Sequence, residues 1–223
     1  MTFYKLTLIT FLVFAASILY GQSRKPQRFG ISIGVGQNNY KIKQSNWMQG
    51  PINYNDSLNS ISSKSSISFN LGISYYLTLS KNILLRPTYV MAFPSTGKLT
   101  FGRKSAAETL DLRSVSFTFS VPVNFKISTK GLNPYLTIGP GFSFLAQNDD
   151  MKPQVEFKTF DLLGQIGVGG EIPFKYFKIK SELLFSTGFS DIRKSKDNIY
   201  NNTISSLGQQ SFSLTFYICN LNN

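Results

Sequence analysis

The residues best placed to do chemistry in this sequence are charged or amide-bearing: Arg86, Lys126, Asp161, Gln165, Glu171, Lys180 and Glu182, with Lys178 beside them. Each falls within a segment where apolar and polar residues alternate, on the side that carries the polar set. Gathered in one confined interior, opposite charges would pair, because an unpartnered buried charge is costly. The expected product is an ion-pair and hydrogen-bond plug; the rival is a gated path for a small solute. Catalysis has less to draw on. The chain has no histidine, so the usual imidazole base of hydrolases and acyltransferases is missing. A Ser–Lys pair stays formally open, but no spacing points to one. A single cysteine, Cys219, supports neither a metal site nor a disulfide, and no cofactor is expected. The glycine groups Gly30/Gly34/Gly36 and Gly164/Gly167/Gly169/Gly170 lie inside alternating segments with no helix after them, so they lack the context of a phosphate-binding loop.

The elements that must position these groups are strands. In Val115 to Ile127 (VSFTFSVPVNFKI), Val115, Phe117, Phe119, Val121, Val123, Phe125 and Ile127 recur at period two. A strand turns successive side chains to opposite faces, which gives this stretch one apolar face and one small, mostly polar face. At about 3.3 Å per residue and a tilt near 45°, the apolar stripe matches the hydrocarbon thickness of a membrane. Alone, it fits a soluble sandwich strand equally well. The pattern recurs at Phe29–Gly36, Ser66–Leu77, Leu85–Phe93, Leu136–Phe144, Phe160–Ile172, Phe177–Gly188 and Ser211–Ile218. Helical periodicity is absent beyond the N-terminus.

The connections alternate in length. Gln37–Ser65, Pro94 to about Leu112, Ala146–Glu156 and Ser190–Ser206 are long; Ser80–Asn82, Ser128–Asn133 and Pro173–Tyr176 are short. Long outer loops and tight periplasmic turns are the habit of up-and-down outer-membrane barrels. A Greek-key sandwich has no reason to alternate in this way. The polar face is rich in Gly, Ser, Thr and Asn rather than Lys and Glu, which suits a narrow interior and argues against both a soluble sandwich and a lipocalin. The fold expected is therefore all-β: an eight-stranded antiparallel up-and-down transmembrane β-barrel with long extracellular loops and short periplasmic turns. Eight strands enclose too little room for a general diffusion porin. The mean hydropathy of −0.05 is what alternation produces, since it dilutes the apolar signal of each strand.

The N-terminus supplies the address. After Lys5, the uncharged run Leu6–Gly21 precedes the polar QSRKPQR, the layout of a secretory signal peptide. Residues 1–21 are read as the leader, with cleavage before Gln22, and 22–223 as the barrel domain of an integral outer-membrane protein. The net charge is +12, and its excess lies near the start of the mature chain and in the short turns. Those cations are expected to anchor the barrel in lipid headgroups, the functional alternative being a docking surface for an acidic periplasmic protein. Nucleic acid is not an expected partner of an exported barrel without a binding motif. In the first long connection, Tyr40, Trp47 and Tyr54 are candidate loop contacts for a ligand or partner, or else part of an interfacial aromatic girdle or of the packing within the loops.

The segments PFKYFKIKSELLFSTGFSDI (Pro173–Ile192), NPYLTIGPGFSFL (Asn133–Leu145), SVPVNFKI and RFGISIGVGQNNYKI resemble strands of the outer-membrane β-barrel domain family of the Bacteroidota type, most of all its PorT-like members. The opening strand lacks the acidic residue of close PorT relatives. The resemblance implies an eight-stranded barrel without catalytic residues, and a structural or accessory role connected with type IX secretion and its machinery. It carries over Glu182 and Gly188 as structural positions. The alternative function is a surface receptor or adhesin working through the extracellular loops; a lipid-active enzyme without histidine is a third.

Overall fold

The alternation read from Phe29 onward becomes a physical partition in the computed structural model, which describes residues 28–45, 58–93, 97–103, 107–111, 114–127, 133–147, 157–194 and 203–220. On β1 (Arg28–Gln44), Phe29, Ile31, Ile33 and Val35 are 45–61% exposed, while Ser32 and Asn38 are buried. A water-soluble fold hides these classes the other way round. Here the apolar face is outside on every wall strand.

The chain continues through β2 (Leu58–Lys64), β3 (Ser66–Thr78), β4 (Ile83–Leu85), β5 (Thr88–Phe93), β6 (Lys98–Arg103), β7 (Ala107–Asp111), β8 (Ser114–Ser120) and β9 (Val123–Lys126). It ends with β10 (Asn133–Gln147), β11 (Phe160–Pro173), β12 (Phe177–Gly188) and β13 (Ile204–Asn220). β4 with β5, and β8 with β9, are single wall strands interrupted at Arg86–Pro87 and Val121–Pro122. Counting each as one, eight antiparallel strands form the wall, and β1 closes it by pairing with both β13 and β3. Closure satisfies both edges of every strand, which a lipid-facing sheet requires.

Pro122 has no N–H to give the ladder, so a bulge or a locally broken pairing is expected there, and the second is found. Ser120 faces Gly141 and Val123 faces Ile138, the same offset on both sides of the proline, so there is no bulge. The pairing is only locally broken. Arg86 still donates its backbone N–H to the Pro122 carbonyl (2.9 Å). The return bond is the one Pro122 cannot make, and Thr88 Oγ1 donates to the Arg86 carbonyl instead (3.0 Å). Gly139 lies opposite, where a Cβ would collide with Pro122.

Two of the expected long loops are shorter than the sequence pattern implied. β1 runs on to Gln44, paired with β13 as far as Ile204. Within the stretches expected as loops, β2, β6 and β7 form a three-stranded sheet. Lys64 faces Lys98 with the offset that sets Phe69 opposite Phe93, so this sheet prolongs the wall above β3 and β5. Beyond the apolar band no lipid imposes strict alternation, so the pattern fades although the hydrogen-bond ladder continues. Ile61, Leu99 and Phe101 from the prolongation pack with Leu145, Phe157, Ile192, Ile204 and Leu207 into an apolar core at this loop end of the barrel.

Candidate functional site

The lumen is where the inward residues meet. Its middle is held by Arg86, at the β4–β5 break, and Glu182, on β12, with side chains 1% and 0% exposed. The guanidinium grips the carboxylate with two bonds, Nη1 to Oε2 at 2.9 Å and Nη2 to Oε1 at 2.7 Å. Thr137 Oγ1 donates to Oε2 (2.8 Å), and Tyr217 OH reaches Oε1 at 3.4 Å. The guanidinium also lies 4.4 Å from the centre of the Tyr217 ring. Both charges are therefore matched and the carboxylate lone pairs are taken up, which is what allows an ion pair to persist out of water.

Toward the end that carries the short turns, Glu171 on β11 collects three ammonium groups. Lys178 lies at 2.5 Å, Lys180 at 3.5 Å and Lys126 at 3.6 Å. The Lys180 ammonium sits 4.1 Å above the Tyr76 ring, a cation–π contact that compensates part of its burial. Tyr135 lies over Gly169, its partner on the adjacent β11, a position where a Cβ would meet its ring. Glycine here makes room for the aromatic side chain.

Toward the loop end the character changes. A cavity of about 70 Å³ is lined by neutral side chains, among them Asn38, Asn70, Ser116, Ser143 and Gln165. It has room for a handful of waters. Asn38 Nδ2, Ser143 Oγ and Gln165 Oε1 have no hydrogen-bond partner among the described residues, a polarity that water in the cavity can satisfy. Along the axis, the lumen thus runs from apolar core through neutral polar chamber to the Arg86–Glu182 pair and the lysine cluster.

Arg86, Lys126, Glu171, Lys180 and Glu182 thus occupy two adjoining groups. Asp161 and Gln165 do not join them. Asp161 is near the loop end, where its carboxylate accepts the Ser190 N–H (3.1 Å) and no cation among the described residues contacts it. Gln165 donates to Ser186 Oγ (3.3 Å) in the neutral chamber. The strand offsets carry both residues too far along the axis to reach the charged layers. Tyr40 is a second correction. It is not a loop side chain but part of β1, 6% exposed and stacked on Phe157 at 5.6 Å between ring centres. Its inward parity, shared with Asn38, buries it in the apolar core. Trp47 and Tyr54 lie outside the described residues. Thr137, Tyr217 and Tyr135 escaped the charge-based reading; their signal was their place on the polar parity of β10 and β13.

The geometry can hold charge, exclude bulk water and block passage. Among the described residues no group of three potential ligands is placed to bind a metal ion.

These features define a closed eight-stranded antiparallel barrel, apolar outside and polar inside, the architecture of outer-membrane β-barrel proteins. Among solved structures, the chain is similar to Neisserial surface protein A, with 9% identity, 87% of this chain and 99% of that one covered, and a TM-score of 0.51. A second likeness is to the outer membrane protein OprG of Pseudomonas aeruginosa, at 9% identity, 89% and 97% coverage and a TM-score of 0.49. Identities this low speak for the fold alone. No protein-family profile and no curated protein matches the sequence.

Proposed function

We propose that this chain is an integral outer-membrane barrel of non-enzymatic character, exported by a cleaved leader at residues 1–21. It serves a structural or accessory role of the PorT-like kind, connected with protein secretion. The observation that carries this reading is the bidentate Arg86–Glu182 pair across the middle of a lumen whose wall is apolar outside. A barrel whose lumen is crossed at its middle by a buried, matched ion pair is built to stay shut. The turn end supports the membrane setting: Phe174, Tyr176 and Phe177 are exposed there, as in an interfacial aromatic girdle. With that end at the periplasmic surface, Lys175 and Lys81 lie at the level of the inner-leaflet phosphates.

The refolded protein in lipid vesicles should migrate faster on a gel before boiling than after. The same vesicles should not swell in an isotonic solution of a small sugar. Swelling at the rate given by an open porin would overturn the closed-lumen role, and recovery of the protein from the soluble periplasm would overturn the membrane location.

A further inference from the structure

Glu171 balances only one of the three ammonium groups around it. Lys126, Lys178 and Lys180 all lie within 3.6 Å of its carboxylate, so among the described residues the group carries two uncompensated positive charges. Lys180 is buried over Tyr76, but Lys126 and Lys178 keep side-chain exposures of 30% and 17% toward the mouth. An ammonium has three donors; Glu171 takes one from Lys178, while Lys126, at 3.6 Å, is held by charge attraction alone. Lys81 and Lys175, both exposed on the adjoining short turns, extend the positive field around the rim. On the turn side of the Arg86–Glu182 pair, Glu171 is the sole acidic residue among those described, against five lysines.

We propose that this mouth is a receiving site for an acidic protein segment, whose carboxylates approach along the barrel axis and pair with Lys126 and Lys178. Position selects the source. Lys126, Lys178 and Lys180 share the inward parity of Glu171 and face the axis, whereas lipid headgroups surround the outer perimeter. Number selects the kind of anion. Charges spread over a cluster and two neighbouring turns match a chain with several carboxylates better than one small ion, and a low-dielectric wall focuses their field. Burial of Lys180 and its ring contact hold the cluster in place, so little is lost in ordering it when the segment arrives. The inference rests on the reading of this end as periplasmic. It adds to that reading the chemistry of what docks there.

The test uses the full barrel in nanodiscs of zwitterionic lipid and a fluorescent octaglutamate peptide, with octaglutamine, inorganic phosphate and anionic lipid vesicles as competing probes. Octaglutamate should bind and octaglutamine should not. Raising salt from about 0.1 M to about 1 M, which cuts the screening length from about 10 Å to about 3 Å, should abolish binding. Lys126→Gln with Lys178→Gln should weaken it about tenfold, whereas Lys41→Gln with Lys43→Gln, at the other end of β1, should leave it unchanged. Should the first pair fail to fold, Lys81→Gln with Lys175→Gln on the exposed turns should weaken binding in the same direction. Equal affinity for both peptides, or equal losses at both ends of the barrel, would overturn the proposal, as would displacement of the peptide by phosphate at matched charge or by the vesicles. Heat-modifiable migration of the same samples reports the barrel separately, so a folded barrel that ignores octaglutamate rejects the docking site and spares the membrane assignment.

Discussion

Removing one partner of the central ion pair is expected to cost far more than removing both. Glu182→Leu leaves the Arg86 guanidinium buried with no carboxylate, and strips Thr137 and Tyr217 of their acceptor. Arg86→Met leaves the carboxylate with only those two hydroxyl donors. Each single change should destabilise the barrel by about 3–5 kcal/mol, because a buried charge without its counterion retains the desolvation cost without the attraction. The double variant Arg86→Met/Glu182→Leu removes both charges and fills similar volume. It should fall closer to the parent than either single change, since well-packed apolar groups replace buried ion pairs at little net loss. Urea titration of the protein in vesicles, read by heat-modifiable migration, measures all three. Losses that simply add in the double variant would show that the two side chains do not act as a pair. The comparison also separates stability from closure: the double variant should stay folded, and its passage to small sugars then reports whether the matched charges or mere volume shuts the lumen.

The second large effect belongs to the outer wall. Phe119→Arg, on β8, should cost roughly 2–4 kcal/mol if the site is near the middle of the bilayer. Phe119 faces outward, 36% exposed, with its ring 5.2 Å from that of Phe142 on the neighbouring strand. An arginine there must hold its guanidinium in hydrocarbon or bend toward an interface. Phe119→Leu keeps the surface apolar and should cost much less. The same urea titration in bilayers decides it. Stability unchanged by arginine would contradict the lipid-facing assignment of the apolar side chains from Val115 to Ile127, which share one parity.

Period-two alternation made the wall legible from sequence. Val115 to Ile127 keeps its outward and inward sets through Pro122, because parity depends on residue count and the count is undisturbed there. Of the two outcomes Pro122 allows, the locally broken pairing is the one found, and Thr88, two residues along the strand from Arg86, serves the carbonyl that proline leaves free. Which carbonyl lies opposite Pro122 is a cross-strand fact, and no local pattern contains it. The same limit explains the shortened loops. LNSISSK and KLTFGR pair as strands through register with each other and pack Ile61, Leu99 and Phe101 into the core, without the lipid that enforces alternation elsewhere.

The lumen shows the division most clearly. Composition and parity were enough to place Arg86, Lys126, Asp161, Gln165, Glu171, Lys180 and Glu182 on the inner face, and to exclude the imidazole chemistry of many barrel enzymes. They could not say who meets whom. A residue's height along the axis depends on the offset between every pair of neighbouring strands, and the offsets accumulate around the ring. Those offsets bring Glu182 on β12 to Arg86 on the far side of the barrel, 96 positions away in sequence. They also leave Asp161 near the rim and Tyr40 in an apolar core. The sequence by itself determined which way each side chain points, since that needs only the two-residue repeat of a strand. Only the tertiary structure decided the partners, because closure of the ring sets the heights at which inward groups face one another.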